Sequence, residues 1–390
     1  MGSILVFGPL APAEAIAVRA AASAVGCEAE LFDCPVDVAS RLARERPVAV
    51  LVVWGCDGSA EVVAHLHGDA RYGSVPVLGL AQDRTEVAFA ELFRHGGDDL
   101  ASPRSQRGLV ARLRQLVAQA SAPAPAARGG HAVVAGTSLR ARTAVGRMLE
   151  HAGIITHFVN NAQDAEGLAC SGEVDFVVAF DDLSPDGAAS AWRASRAKGA
   201  KAPWIVLAPT RRAAAARHAL ERHPGIAVLD AYAPPDHVLF VANELLRPEL
   251  AERRSSSRVL FGTAVSFRGA GAAEDDVGLT YNLSASGLFV RTLAPLEADQ
   301  EVWLELWPPH TTRAVRLAGR VAWRRPFGPT WTATVPPGFG VALTGGLPGD
   351  LERWRAAHAA LAGRLTPPYR SGVWGRLSEL PASLAASTVE

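Results

Sequence analysis

The chain has 390 residues, 49% apolar and 20% charged, with 39 Lys+Arg against 39 Asp+Glu, and at about 150 residues per domain that length makes two or three globular domains. Charge balanced at zero argues against a chain built to grip a nucleic-acid backbone or an anionic bilayer, and no apolar run approaches the ~18 residues of a membrane span. The only lysines are Lys198 and Lys201; neither stands in a Gly-Lys-Ser/Thr setting, so nucleotide hydrolysis on a P-loop is excluded.

The N-terminus reads as a first strand, without the basic leader of a signal peptide. Cys27, Cys34, Cys56 and Cys170 lack metal-type spacing, which argues against a zinc site or a disulfide scaffold and for the cytoplasm. His-Glu-x-x-His, Gly-x-Ser-x-Gly and kinase signatures are missing, and no cofactor or metal is expected.

Ser3–Gly8, Val48–Trp54 and Val75–Ala81 are strand-length apolar runs. They alternate with the helical patterns Ala13–Val25 and Arg104–Gln119, as in a parallel sheet covered on both faces. Residues 121–130, rich in Pro, Ala and Gly, make a linker. The programme then restarts: strands at Ala132–Ala135, Ile154–Val159, Asp175–Phe180 and Trp204–Ala208, helices at Leu139–His151 and Pro235–Leu246. Residues 1–120 and 131–248 are therefore expected to repeat one α/β flavodoxin-like domain.

After Pro248 the texture changes. Val259–Phe267, Leu288–Thr292, Glu301–Trp307, Ala314–Arg324 and Phe339–Leu343 are β-branched or aromatic runs bounded by Gly, Pro and Asn. They predict an antiparallel β-barrel or sandwich at 249–365, closed by a helix at Leu351–Leu365, with a Pro/Ser/Ala-rich tail at 366–390.

Both α/β segments resemble response-regulator receiver domains. In that family an acidic pair holds a metal ion, an Asp at the third strand's end takes a phosphoryl group, and a Lys before Pro completes the charge neutralisation. The first segment offers Phe7-Gly8-Pro9, Trp54 and Ser102-Pro103 at these places and none of the chemistry. The second puts Asp181 and Asp182 close to the acceptor position, but Ala135-Gly136-Thr137 and Ala233-Pro234 stand where the acidic pair and Lys-Pro belong. Asp181 is read as a turn-capping carboxylate, with a phosphoacceptor as the alternative. Gly96-Gly97-Asp98-Asp99-Leu100 resembles a diguanylate cyclase loop, but its place before the last strand and helix of a short domain makes it the lead-in to a receiver's fifth strand.

The third segment carries the specific signal. Arg254 and Arg258 form Arg-x-x-x-Arg, with Arg253 beside them, just before the first strand. Asn282, Ser284 and Gly287 form Asn-x-Ser-x-x-Gly between two later strands. Guanidinium donates bidentately to phosphate and stacks on purines. Asn can read a base edge, Ser supplies a hydroxyl, and Gly permits close backbone approach. In this order, on an antiparallel β domain, the motifs resemble the PilZ family of cyclic di-GMP receptors, as do Gly287–Val290, Leu317–Trp323 and Gly338–Val341.

The resemblance implies one or two cyclic di-GMP molecules held by Arg253, Arg254 and Arg258 and, from the barrel surface, by Asn282, Ser284 and Gly287. The chain is then expected to be a non-enzymatic receptor: the nucleotide clamps the Arg-bearing connector onto the barrel, sets the interdomain orientation and signals to a protein partner through the receiver-like domains. A homodimer is compatible with this reading. A response regulator phosphorylated at Asp181 and a nucleotide-independent scaffold are the alternatives.

Overall fold

The computed structural model describes residues 2–69, 71–120, 130–183, 187–220, 223–246, 258–309, 311–328 and 335–363. Nearly all of the 121–130 linker, Arg253, Arg254 and the 366–390 tail lie outside them.

The first unit runs β1 (Gly2–Phe7), α1 (Pro12–Ser23), β2 (Cys27–Phe32), α2 (Pro35–Leu42), β3 (Ala49–Val53), α3 (Ser59–Gly68), β4 (Val77–Leu80), α4 (Glu86–Arg94), β5 (Asp99–Ala101) and α5 (Gln106–Ala120). Its parallel strands lie in the order β2-β1-β3-β4-β5. The centre is β1 and β3, whose Ile4–Phe7 and Ala49–Val52 are buried on both faces, as a sheet covered by helices on each side requires.

The second unit repeats the winding with β6 (His131–Ala135), α6 (Leu139–His151), β7 (Ile155–Val159), α7 (Ala162–Ser171), β8 (Phe176–Phe180), α8 (Gly187–Ala197), β9 (Trp204–Ala208), α9 (Thr210–Leu220), β10 (Ile226–Asp230) and α10 (Asp236–Leu246). Its order β10-β9-β8-β6-β7 is the first unit's read from the other edge. Both are flavodoxin-like sheets, as expected. Helix entries are fixed locally: Thr85, Ser138 and Asn161 each accept a backbone N–H from three residues on, the usual N-cap arrangement.

The third unit contains β11 (Val259–Leu260), β12 (Ala264–Gly269), β13 (Asp276–Ser284), β14 (Gly287–Arg291), β15 (Glu301–Leu306), β16 (Val315–Arg325), β17 (Gly338–Gly346) and a final helix, α11 (Asp350–Gly363). Strands β13-β12-β15-β16-β17-β14 close through the β13–β14 pairing into a six-stranded antiparallel barrel. Two details differ from the sequence reading. The run Val259–Phe267 is interrupted at 261–263, where the Thr263 N–H bonds the Thr280 hydroxyl at 2.9 Å and Thr280 N–H bonds Thr263 O at 2.9 Å. The motif's Asn282 and Ser284 lie within β13, not in a loop.

The barrel docks on both α/β units. Arg112 of α5 is wholly buried; its guanidinium meets Asp99 at 2.8 Å and Asp276 of the barrel at 2.7 Å, and Arg84 reaches Asp276 at 2.8 Å. Asp99 also accepts the Leu293 N–H at 2.7 Å. Towards the second unit, Val259, Leu260, Tyr281 and Phe289 share one apolar core with Val238, Phe240 and Val241 of α10, and the Tyr281 hydroxyl donates to Asp236 O at 3.0 Å. The third unit's orientation is thus held by buried polar pairs and a shared apolar core.

These interfaces trap imidazoles. Burial, with Arg147 close by, pushes His67 and His151 well below the ordinary histidine value, and burial beside Arg291 pushes His237 down to about 3. A depressed folded-state value means that the unfolded chain takes up protons first, from pH ~6.5 downward. The stabilisation is complete above that pH and lost below it, by about 1.4 kcal/mol per histidine per pH unit. Asp98 and Asp236, raised by burial, offset part of the loss in the acid range. Urea midpoints are expected to fall between pH 7.5 and 5.5; equal midpoints would contradict this.

Candidate nucleotide site

The candidate site grows from one hairpin. In β13 and β14, Asn282 pairs with Phe289, Leu283 with Leu288 and Ser284 with Gly287, leaving Ala285 and Ser286 as the turn. Leu283 and Leu288 enter the barrel core, whereas Phe289 faces the core shared with α10. Directly opposed residues of an antiparallel pair lie on one face. Asn282, Ser284 and Gly287 therefore share the barrel's outer face.

Strand β11, which follows the arginine motif in the chain, pairs beside this hairpin. Leu260 pairs with Asn282 and Val259 with Leu283, and Arg258 directly precedes this pairing. Arg258 and Ser284 are half-buried and Asn282 is buried. Of the six expected site residues, Asn282, Ser284 and Gly287 share one hairpin and Arg258 stands directly before the strand paired to it; Arg253 and Arg254 lie outside the described residues.

Local packing explains the shape of the motif. A Cβ on Gly287 would stand 2.3 Å from Val341 O, so only glycine lets β17 lie against the hairpin. The Ser284 hydroxyl donates to Gly287 O at 3.2 Å. Ser284 O in turn accepts the indole N–H of Trp354 at 3.0 Å, from a side chain 1% exposed in α11. Trp354 was not singled out in the sequence; its signal was a lone tryptophan on the last helix. Trp354→Phe should lower stability by about 1–3 kcal/mol by orphaning a carbonyl and opening a void, read by chemical denaturation.

Asp181 lies in another unit. It follows β8, its N–H bonds Leu207 O at 2.9 Å, and Arg212 approaches its carboxylate at 3.7 Å. The neighbouring Asp182 accepts the Thr137 N–H at 3.2 Å and its hydroxyl. Among the described residues no group of three or more His, Cys, Asp or Glu is placed to hold a metal ion.

The chain's residues 252–354 match the family model of the PilZ domain, over the stretch that carries both motifs. The third unit is a PilZ domain. PilZ domains bind ligands rather than catalyse reactions, and this one follows two flavodoxin-like domains. No curated protein matches the chain. Among solved structures, the C-terminal region of E. coli RcsC, with its linker and phosphoreceiver domain, shares 14% identity over 64% of this chain and 95% of that one, at TM-score 0.28. An atypical orphan response regulator shares 17% over 30% and 95%, at TM-score 0.26. The Bacillus subtilis inhibitor of motility, MotI/DgrA, shares 17% over 28% and 50%, at TM-score 0.23. The strand orders, not these low scores, define the two flavodoxin-like units. No helix among the described residues is long and apolar enough to cross a membrane.

One tie of the PilZ domain to the first unit runs through Asp99, whose carboxylate accepts the Leu293 N–H at 2.7 Å and the Thr292 hydroxyl at 3.3 Å. The Gly-Gly-Asp-Asp stretch leads into β5; the Asp98 carboxylate pairs with Arg147 of the second unit, and its backbone O accepts from Arg291 of the barrel at 3.5 Å. A sequence signal existed: Arg112 falls in the apolar helical stripe of Leu109, Leu113 and Leu116, all wholly buried, and a cation at such a position needs a buried anion.

Proposed function

We propose that the chain is a cytoplasmic cyclic di-GMP receptor, with Arg253, Arg254 and Arg258 gripping the phosphates and stacking on the guanines while Asn282, Ser284 and Gly287 present the barrel face. The observation that carries this reading is the PilZ match at 252–354, which spans both motifs, and the pairing of β11, just after the arginines, with Asn282 and Leu283 supports it. A dianionic ligand with planar bases suits forked, stackable guanidinium groups better than lysines.

The connector runs from α10 to β11, and both ends are anchored in one apolar core. A nucleotide that gathers this segment onto the barrel ties the second unit to the third and favours the docked orientation by its differential affinity for that state. The receiver-like units then present a fixed surface to a protein partner, in control of motility, pili, polysaccharide or development. Thermal unfolding and small-angle scattering test this. Cyclic di-GMP should raise the melting temperature and should compact an Arg112→Ala chain, whose docking is weakened. An unchanged melting curve at saturation speaks against the receptor; a raised one without compaction speaks against the clamp alone.

A further inference from the structure

Where the three units meet, a small cavity of about 30 Å³ is lined by Asp98, Arg147, His151, Asp236, Arg291 and Arg325. The three arginines come from the second unit and the barrel and are 4%, 8% and 6% exposed for Arg147, Arg291 and Arg325. Their charges are not matched. Arg147 pairs with Asp98 at 3.1 Å, and Arg291 pairs with Asp236 while lying over the Phe93 ring. Arg325 makes no ion pair among the described residues, and Asp236, already paired with Arg291, acts on it only at longer range. It donates instead to three backbone carbonyls, Val335 O at 2.7 Å, His151 O at 2.5 Å and Gly328 O at 3.3 Å. The 329–334 stretch that follows contains no acidic residue.

Three guanidinium groups therefore face two carboxylates. His151 adds no compensation: burial, with Arg147, Arg325 and Arg291 around it, keeps its imidazole neutral near pH 7. In addition the Nε–H groups of Arg147, Arg291 and Arg325 are all buried without a partner. A buried cation with neither counter-charge nor full hydrogen bonding is costly. A water molecule could accept these N–H groups but would leave the surplus charge in place. The space admits one or two water-sized bodies, since each needs about 10–15 Å³ by this measure.

We propose that this junction binds one small monovalent inorganic anion of chloride size, held by Arg147, Arg291 and Arg325. The ion supplies the missing negative charge and fastens the barrel to the second unit, so docking depends on halide. The phosphate groups of a nucleotide are far too large for the cavity, so this site is separate from the connector.

The test titrates sodium chloride or bromide into the full chain in sodium gluconate at constant ionic strength. The melting temperature should rise and saturate with halide, and crystals grown in bromide should give one anomalous peak beside the three guanidinium groups. Arg325→Gln, which removes the surplus charge, should abolish the halide response. Identical melting in halide and gluconate, or a bromide crystal holding only water in the cavity, would overturn the proposal, and that diffraction result stands even if the variant does not fold.

Discussion

Arg112→Ala is expected to destabilise the chain by about 3–5 kcal/mol, the range for stripping one partner from a buried ion pair. Arg112 and Asp99 are both wholly buried. The guanidinium serves Asp99, Asp276, Val277 O and Thr292 Oγ1 at 2.7–3.3 Å. Burial alone would raise the Asp276 carboxyl, yet Arg112 and Arg84 hold it below the ordinary carboxylate range. Without Arg112, Asp276 keeps Arg84, but Asp99 becomes a sealed, unbalanced anion. Because the same guanidinium joins the first unit to the barrel, the variant should also scatter as a more extended particle. Arg112→Met combined with Asp99→Asn should recover part of the loss, because removing both charges leaves no orphan. A penalty near 1 kcal/mol in urea denaturation, with unchanged scattering, would mean that the buried pair does not hold the domains together.

Arg254→Ala and Arg258→Ala should each weaken cyclic di-GMP binding about 10- to 100-fold, the equivalent of a charged hydrogen bond worth roughly 1.5–3 kcal/mol. Melting temperatures without ligand should move little for Arg254→Ala, since arginine ahead of three serines is of a surface-preferring type. Larger residues at Gly287 would be a poor test of binding. Their side chain would collide with the β17 backbone at Val341, so lost affinity would follow from a displaced hairpin.

Much of the fold was legible because the decisive strands are continuous apolar runs: Ile4–Phe7, Ala49–Val52, Phe176–Ala179 and Trp204–Ala208 are all buried. Strand β2, Cys-Glu-Ala-Glu-Leu-Phe, escaped because it is an edge strand whose side chains are mostly half-exposed. Strand β13 escaped because Thr280 and Asn282 are polar yet buried, serving the hairpin and the β11–β12 break rather than the core. The site motifs were legible as short patterns, and β11 follows the arginine motif and pairs with β13 at Asn282 and Leu283. The interdomain network was not. Arg112 and Asp276 are 164 residues apart, and Asp99 and Leu293 are 194 apart, so a single chain gives no means of pairing them. What could be read was only that Arg112 stood in an apolar stripe and needed an anion.

The most direct test of the receptor is a calorimetric titration of the purified chain with cyclic di-GMP, run beside Arg254→Ala. The account predicts saturable binding, with one or two nucleotides per chain, that collapses in the variant. Absence of binding heat at several temperatures, or equal affinity in both proteins, would contradict it.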